Sequence, residues 1–394
     1  EQLDISANLT VCLAKDDYLA SDGSDCRNYG GLDGIPEFKE LCASILEVAP
    51  SEVIVGGNSS LAMMYDLLAL AMLQKIPDSE TPWGKLPKVK FLCPSPGYDR
   101  HFAMCEHFGM EMITINMLST GPDMQQIERL VAEDAAIKGI WCNPQYSNPT
   151  GITFSDDVVN RLASMPTKAM DFRIFWDNAY VVHHLSEPGD KLANISEACK
   201  KANNPNRAFV FSSTSKYSFP GAGIAMMASS QVNIDWLKKN LIIRYLGPDK
   251  MNQLRHMRFF KDMDGIKAHM RKHADIIGPK FELVLETLES SLGGKEIASW
   301  TKPKGGYFIS LDTLPGCAKK VVAKAAEAGV MVTAAGPTYP YGIDPEDKNI
   351  RLAPTLPSVD DLKQAMKLFV TCVLLVSAEL ELSKRNKSFP DNSK

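Results

Sequence analysis

The sequence predicts an α/β fold: a mostly parallel central sheet covered by helices, joined to a smaller α+β unit. Three observations carry this. Short apolar segments alternate with helical periodicity through the middle of the chain, and each apolar segment ends in polar residues. After about residue 255 the texture changes to long helical patterns. In sheets of this kind ligands bind beyond the C-terminal ends of the strands. The polar residues that follow each strand are therefore the candidates for chemistry.

The elements follow in chain order. Val53-Ile54-Val55 reads as a strand that runs into Gly56-Gly57-Asn58-Ser59-Ser60 and a helix over Leu61 to Leu73. Lys88 to Cys93 is a strand closed by Pro94-Ser95-Pro96-Gly97, with a helix starting near Asp99. Glu111 to Ile115 is a strand and Met124 to Glu133 a helix. Gly139 to Cys142, Arg173 to Trp176 and Ala208 to Phe211 are three more short apolar strands. A long helix is expected over about Lys267 to Leu292. Gly305-Gly306 turns into a strand at Tyr307 to Leu311, and a helix covers about Ala318 to Ala328. Strands are expected near Val330 to Thr333 and Asn349 to Leu352. The last helix opens at Ser358, which forms a capping box with Asp361. The stretch from Lys384 to Lys394, with its Lys, Asn, Ser and Pro content, is expected to be disordered.

Composition narrows the function. The chain has 394 residues, with 43 Lys plus Arg against 47 Asp plus Glu, a net charge of −4. That argues against a whole-chain binder of nucleic acid or of an anionic membrane. The cysteines number 9, an odd count without C-x-x-C spacing, so free thiols in a reducing compartment fit better than disulfides or zinc. No metal site is expected. The apolar run Leu368 to Val376 is too short to span a bilayer, and no signal peptide is read, so a cytoplasmic location is expected.

Four features bear on chemistry. Lys216 follows the Ala208 to Phe211 strand in Ser212-Ser213-Thr214-Ser215-Lys216, with Gly221 and Gly223 beyond. It is either a solvated loop cation or a lysine at the mouth of a sheet pocket, able to form a Schiff base with a carbonyl. Asp177 ends the Arg173 to Trp176 strand in Asp177-Asn178-Ala179-Tyr180. It is either a helix cap or the ionised partner of a protonated ring nitrogen. Asn148-Pro149-Thr150-Gly151 makes a turn, and at the same sheet edge its amide can bond a cofactor oxygen. Gly57-Asn58-Ser59-Ser60 before a helix can cradle an anion with backbone N–H groups.

In this order and spacing the four resemble one family, the fold-type-I pyridoxal-phosphate enzymes, and within it the class I/II aminotransferases. The resemblance runs from Tyr29 to Arg351. The phrases Ser95-Pro96-Gly97-Tyr98-Asp99-Arg100-His101-Phe102, Asp177-Asn178-Ala179-Tyr180-Val181-Val182-His183-His184-Leu185 and Gly247-Pro248-Asp249-Lys250-Met251-Asn252-Gln253-Leu254-Arg255-His256 are most similar to the bacterial-type aspartate aminotransferase subgroup related to the MocR regulators.

The resemblance implies an aspartate aminotransferase-like fold. It implies a large cofactor domain at 45–264 and a small domain built from 1–44 plus 265–394. Lys216 would hold pyridoxal 5'-phosphate covalently and move the substrate proton. Asp177 would pair with the ring nitrogen, and Asn148 and Tyr180 with the ring oxygen. Tyr98 would stack on the ring. Gly57, Asn58, Ser59 and Ser213 would bind the phosphate, and Arg351 the substrate α-carboxylate, for which its fork is suited. Tyr29, before Gly30-Gly31-Leu32-Asp33-Gly34, would reach the phosphate of a neighbouring subunit, which implies at least a homodimer.

Two departures stand out. An arginine expected about eight residues after the lysine is replaced by Ile224. The family's N-terminal glycine loop near the substrate would lie upstream of Glu1, so that segment is expected to be missing. His183-His184, read as adjacent residues on a strand, would face opposite sides and serve packing or surface roles. His101, one turn from Tyr98, is a candidate neighbour of the site. Arg100 and Arg27 are candidates for a substrate side-chain carboxylate.

The activity expected is a ping-pong amino-group transfer, with aspartate as donor and 2-oxoglutarate as acceptor. The alternatives are another pyridoxal-phosphate chemistry on the same fold (a β-lyase, a decarboxylase or a specialised-metabolism enzyme) and a MocR-like effector-sensing domain without catalysis. No basic helix-turn-helix segment is read, which counts against the last.

Overall fold

The structure, a computed structural model, describes residues 1–388 and the side chains up to 385. Helix α1 (Pro36–Leu46) opens on a proline whose fixed φ suits a first helical turn. Strand β1 (Val53–Val55) feeds α2 (Ser60–Leu73). Then follow β2 (Lys90–Ser95), α3 (Asp99–His107), β3 (Glu111–Leu118), the short β4 (Gly121–Pro122) and α4 (Met124–Glu133). The Asp123 carboxylate accepts the N–H groups of Gln125 and Gln126, which fixes where α4 begins. Strand β5 (Ile137–Cys142), α5 (Asp156–Ser164), β6 (Arg173–Asp177), α6 (Ile195–Lys201), β7 (Ala208–Ser213), β8 (Ala225–Ala228) and α7 (Gln231–Arg244) complete the large sheet and its cover.

That sheet has eight strands in the order β1-β8-β7-β6-β5-β2-β3-β4. Its centre, β3-β2-β5-β6-β7, is parallel throughout, and β8, β1 and β4 pair antiparallel at the edges. Successive side chains of a strand point to opposite faces. In β6, Ile174 and Trp176 join one apolar layer while Phe175 joins the other. Both faces are thus sealed by helices, as a parallel sheet requires. Register then sets the site: Cys142 lies beside Trp176, and Asp177 beside Phe211. The residues just after β5, β6 and β7 emerge along one edge.

The remainder holds α8 (Lys250–Phe260), α9 (Met263–Leu292), β9 (Ala298–Trp300), β10 (Ile309–Thr313), α10 (Ala318–Glu327), β11 (Asn349–Leu352) and α11 (Val359–Ser388). The last three strands form an antiparallel sheet in the order β11-β10-β9, with its own core. Ile277, Phe281, Val284, Leu288 and Leu292 recur at helical spacing in α9 and are all buried in it. Residues near the N-terminus divide their contacts. Ala20, Cys26, Phe38 and Leu41 belong to the core of the large sheet, whereas Gln2 Nε2 donates to the carbonyl of Thr355 at 3.3 Å.

Three expectations need correction. Val330 to Thr333 is not a strand: Met331 is exposed between partly buried Val330 and Val332, but the small sheet offers that segment no backbone partner. His183 and His184 lie beyond the end of β6, in a turn, where His184 forms an isolated bridge with Gly305. Residues 384–388, expected to be disordered, continue α11, because Lys and Arg are good helix formers and Lys384 pairs with Glu381 one turn back. The rest of that stretch, 389–394, lies outside the described residues.

Among the described residues no helix is long and apolar enough to cross a membrane, and no group of His, Cys, Asp or Glu is arranged to hold a metal ion. All nine cysteines are unpaired.

Candidate active site

Beyond the C-terminal edge of the large sheet lies a cavity of about 570 Å³. Lys216, Asp177, Tyr180 and Asn148 line it, together with Arg351 from the small sheet. Asn58, Ser59, Tyr98 and Ser213 also lie on its wall. Two expected residues lie elsewhere. Gly57 sits one residue outside the wall, and Tyr29 is 84% exposed on an outer loop.

Lys216 ends a single helical turn after β7. Thr214 pins that turn: its hydroxyl accepts the N–H of Ile224 at 2.9 Å, and its carbonyl accepts Ser218 N–H at 2.7 Å. The Tyr307 hydroxyl donates to the Lys216 carbonyl at 2.8 Å, and the Lys216 ammonium lies 5.3 Å from the centre of the Tyr307 ring. Burial pulls the Lys216 pKa below the usual lysine range; the Asp177 charge opposes this and Arg351 adds to it. A lysine so placed reaches its neutral, nucleophilic form more readily.

Asp177 is 3% exposed. Its Oδ2 lies 3.0 Å from His101 Nε2, while its Oδ1 is buried without a partner. His101 is held flat on Trp141, with ring centres 4.4 Å apart and planes at 8°. Asn143, just past β5, donates its amide to the Asp177 carbonyl at 2.6 Å and accepts the Asn148 N–H at 2.6 Å. Tyr180 stacks on Tyr307 at 5.9 Å. Burial, first of all, raises the Tyr180 phenol well above its ordinary range and pushes Tyr98 up to about 12.

At the other end of the cavity α2 begins. Its cap residue, Ser59, makes no side-chain capping bond, so its hydroxyl remains available. The Ser215 hydroxyl donates to the Asn58 carbonyl at 2.9 Å, and the Asn58 amide reaches the Gly221 carbonyl at 3.4 Å. A Cβ on Gly57 would meet open space. The first N–H groups of α2 point a helix N-terminus at this end, an arrangement that favours an anion. Ile224 is 2% exposed and faces the core, so its position delivers no side chain to the cavity.

Arg351, on β11, donates through Nη1 to Asp99 Oδ1 at 3.0 Å and to Asn148 Oδ1 at 3.1 Å. Its Nε is buried without a partner. Of the two other candidate arginines, Arg100 lines the cavity. Arg27 does not: it pairs with Asp25 at 2.6 Å and lies over Tyr18 at 3.5 Å.

The Tyr29 loop is held from behind. Lys250, 7% exposed, donates to the carbonyls of Asn28 at 2.6 Å and Gly30 at 2.8 Å. Gly34 closes the loop at φ +109°, where a Cβ would meet Val55 at 2.6 Å.

Asp99, Asn143 and Tyr307 were missed as site residues. Asn143 carried the available signal, a polar residue directly after a strand; Tyr307 followed a Gly-Gly turn and read as the start of the strand. The arrangement has a defined chemistry. A ligand with an aldehyde, a basic ring nitrogen and an anionic group would meet an amine at Lys216, an unpaired carboxylate oxygen at Asp177 and a helix N-terminus at α2. Arg351 leaves room for a second molecule bearing a carboxylate.

The chain is also similar to known proteins. The profile of a family described as aspartate amino-transferase matches residues 1–385. A putative aminotransferase of Mycolicibacterium smegmatis is 50% identical over 387 residues, covering 98% of this chain and 90% of that protein. An aspartate aminotransferase of Corynebacterium glutamicum is 48% identical over 379 residues, covering 96% and 88%. The crystal structure of an aspartate transaminase from Corynebacterium glutamicum superposes with a TM-score of 0.94 at 47% identity, over 96% of this chain and 89% of the other.

Proposed function

The chain belongs to the aspartate aminotransferase family and is a pyridoxal-phosphate-dependent aminotransferase, and on that premise we propose that it moves an amino group from aspartate to 2-oxoglutarate. The observation that carries the site reading is the meeting of Lys216, Asp177 and Arg351 in one cavity. The donor set fits the cofactor, because Asp177 Oδ1 is buried without a partner in the same cavity as a lysine whose charge is disfavoured.

When bound, the cofactor supplies an electron sink for the negative charge left on the substrate Cα. The chain's residues do the rest. Lys216 would hold the cofactor through its aldehyde, and its amine, once free, would remove and return the proton at the substrate Cα. Asp177, backed by His101, would hold the ring nitrogen in its protonated form. Asn148 and Tyr180 would serve the ring oxygen, and Tyr98 would stack on the ring. Gly57, Asn58, Ser59 and Ser213 would hold the phosphate, and Arg351 the α-carboxylate. The same cavity serves amino acid and 2-oxo acid in turn, which gives ping-pong kinetics.

The reading extends to a homodimer in which Tyr29 of one subunit serves the other's phosphate. Its support is a tyrosine that is 84% exposed yet sits on a loop anchored by Lys250. A cytoplasmic location belongs to the same reading, with nine unpaired cysteines as its support. We divide the chain into a large unit, 45–264, and a small unit of 1–44 plus 265–394. Gln2 bonding to Thr355 supports the N-terminal assignment, although α1 itself is anchored in the larger core.

The test is reconstitution with pyridoxal phosphate followed by half-reactions with aspartate, aromatic amino acids and a β-substituted amino acid. Aspartate is expected to convert the cofactor fastest, with oxaloacetate released. Borohydride should fix the cofactor to the peptide containing Lys216. Absence of that adduct would sink the site reading, and release of pyruvate from the β-substituted compound without transfer would replace the reaction.

A further inference from the structure

Arg351 is gripped on one side only. Nη1 carries both protein contacts, to Asp99 at 3.0 Å and to Asn148 at 3.1 Å, while Nε has no partner. The Phe308 ring lies 5.2 Å from the guanidinium carbon and limits its sideways movement. A guanidinium takes a carboxylate in two parallel bonds along one edge. With Nη1 engaged twice, the edge left for a substrate is Nε–Nη2.

The two anchors differ in kind. Asn148 is neutral, and in the reading above its amide also serves the cofactor. Asp99 is an anion in the first turn of α3, where the helix N-terminus favours negative charge. Its side chain is 30% exposed against 12% for Arg351. The pair is thus partly shielded from water, and the arginine is the deeper member.

We propose that Asp99 is a positioning residue for substrate recognition. It fixes Arg351 by Nη1 and so presents the Nε–Nη2 edge to the α-carboxylate of amino acid and 2-oxo acid alike. This rests on the assignment of Arg351 as the α-carboxylate site. Because Asp99 acts through Arg351, its loss affects binding of every carboxylate substrate and spares the chemistry at Lys216.

The experiment compares the reconstituted holoenzyme with Asp99→Ala, Asp99→Asn and Arg351→Gln. KM and kcat are measured for aspartate and 2-oxoglutarate. Binding of the non-reacting dicarboxylate maleate is read from the cofactor's absorbance. Asp99→Ala should raise both KM values and the maleate Kd about tenfold or more, with kcat within about twofold, the pattern of a lost charge-assisted contact that acts on binding. Asp99→Asn, which keeps an acceptor, should recover part of the loss. Unchanged KM and maleate Kd in Asp99→Ala would overturn the proposal. Tighter binding would overturn it too, by showing that Asp99 competes with substrate for Arg351. So would a loss confined to kcat or to cofactor retention. Should Asp99→Ala not fold, Asp99→Asn decides alone: a KM equal to wild type at unchanged melting temperature rejects the need for the charge. If Arg351→Gln also leaves KM unchanged, the parent assignment has failed. If it raises KM while Asp99→Ala does not, only the positioning role has.

Discussion

His101 Nε2 stands 3.0 Å from Asp177 Oδ2, with both side chains almost fully buried. The ring is stacked on Trp141, so its orientation is fixed from one face while the carboxylate fixes it at the edge. Replacing His101 by Phe keeps the stack and removes the polar contact. We expect kcat to fall about tenfold, the cost of leaving one carboxylate oxygen unsupported. Cofactor binding at saturating concentration should persist. Asp177→Ala should be far more damaging, because on the proposed reading it removes the partner of the ring nitrogen. Steady-state kinetics on both variants check the order.

Covalent attachment of pyridoxal phosphate to the unloaded protein should accelerate with pH, with a midpoint below the ordinary lysine value of about 10.4. The sign follows from the neighbours. Burial lowers the Lys216 pKa, Asp177 raises it and Arg351 lowers it. Asp177→Asn should therefore move the midpoint further down, and Arg351→Gln should move it up. Stopped-flow absorbance across pH reads all three.

Introducing an arginine at Ile224 should harm the protein. The side chain is 2% exposed in the main core, and its N–H is bonded to Thr214 beside the Lys216 turn. Ile224→Arg buries an unpaired charge, at a cost of at least about 3 kcal/mol. Denaturant unfolding should show the loss, and equilibrium dialysis should show no gain in affinity for pyridoxal phosphate.

Stability should decline in mild acid. Burial holds the imidazoles of His256 and His273 down to about 4. In the unfolded chain both would protonate near 6.5. Between those values the unfolded state binds more protons, so their contribution is complete above about pH 6.5 and is lost as pH falls toward 4. Each histidine accounts for a loss on the order of 3 kcal/mol at the bottom of that window. Unfolding midpoints from pH 7.5 to 4.5 should fall less steeply in His256→Gln than in wild type.

Much of this molecule was legible in its sequence where one local cause dominates. Helix α4 was read to the residue, because Asp123 caps it and its apolar face is regular. Strands β5, β6 and β7 were found from apolar runs that end in polar residues, and those endings are the cavity wall. Lys216, Asp177 and Asn148 each read by position alone as a loop cation, a helix cap and a turn; only their order and spacing together singled them out, and the fold brings all three to one cavity. What escaped depends on contacts between distant segments. Tyr307 matters because its hydroxyl reaches a carbonyl 91 residues earlier, and Asp99 because it meets Arg351 across 252 residues. Val330 to Thr333 has the apolar, β-branched character of a strand and lacks only a neighbour, which residue type does not reveal.

The grip of Lys250 on the carbonyls either side of Tyr29 has an entropic consequence. A loop that exposes a large aromatic side chain would ordinarily have to be ordered at the moment another surface meets it, and each residue so fixed costs roughly 1–2 kcal/mol. Here two hydrogen bonds from one buried ammonium, and a glycine packed against Val55, hold the loop within a single chain. Most of that ordering is complete before any encounter. A surface that docked on Tyr29 would meet a preorganised loop, which would favour tight association through contacts that need little rearrangement.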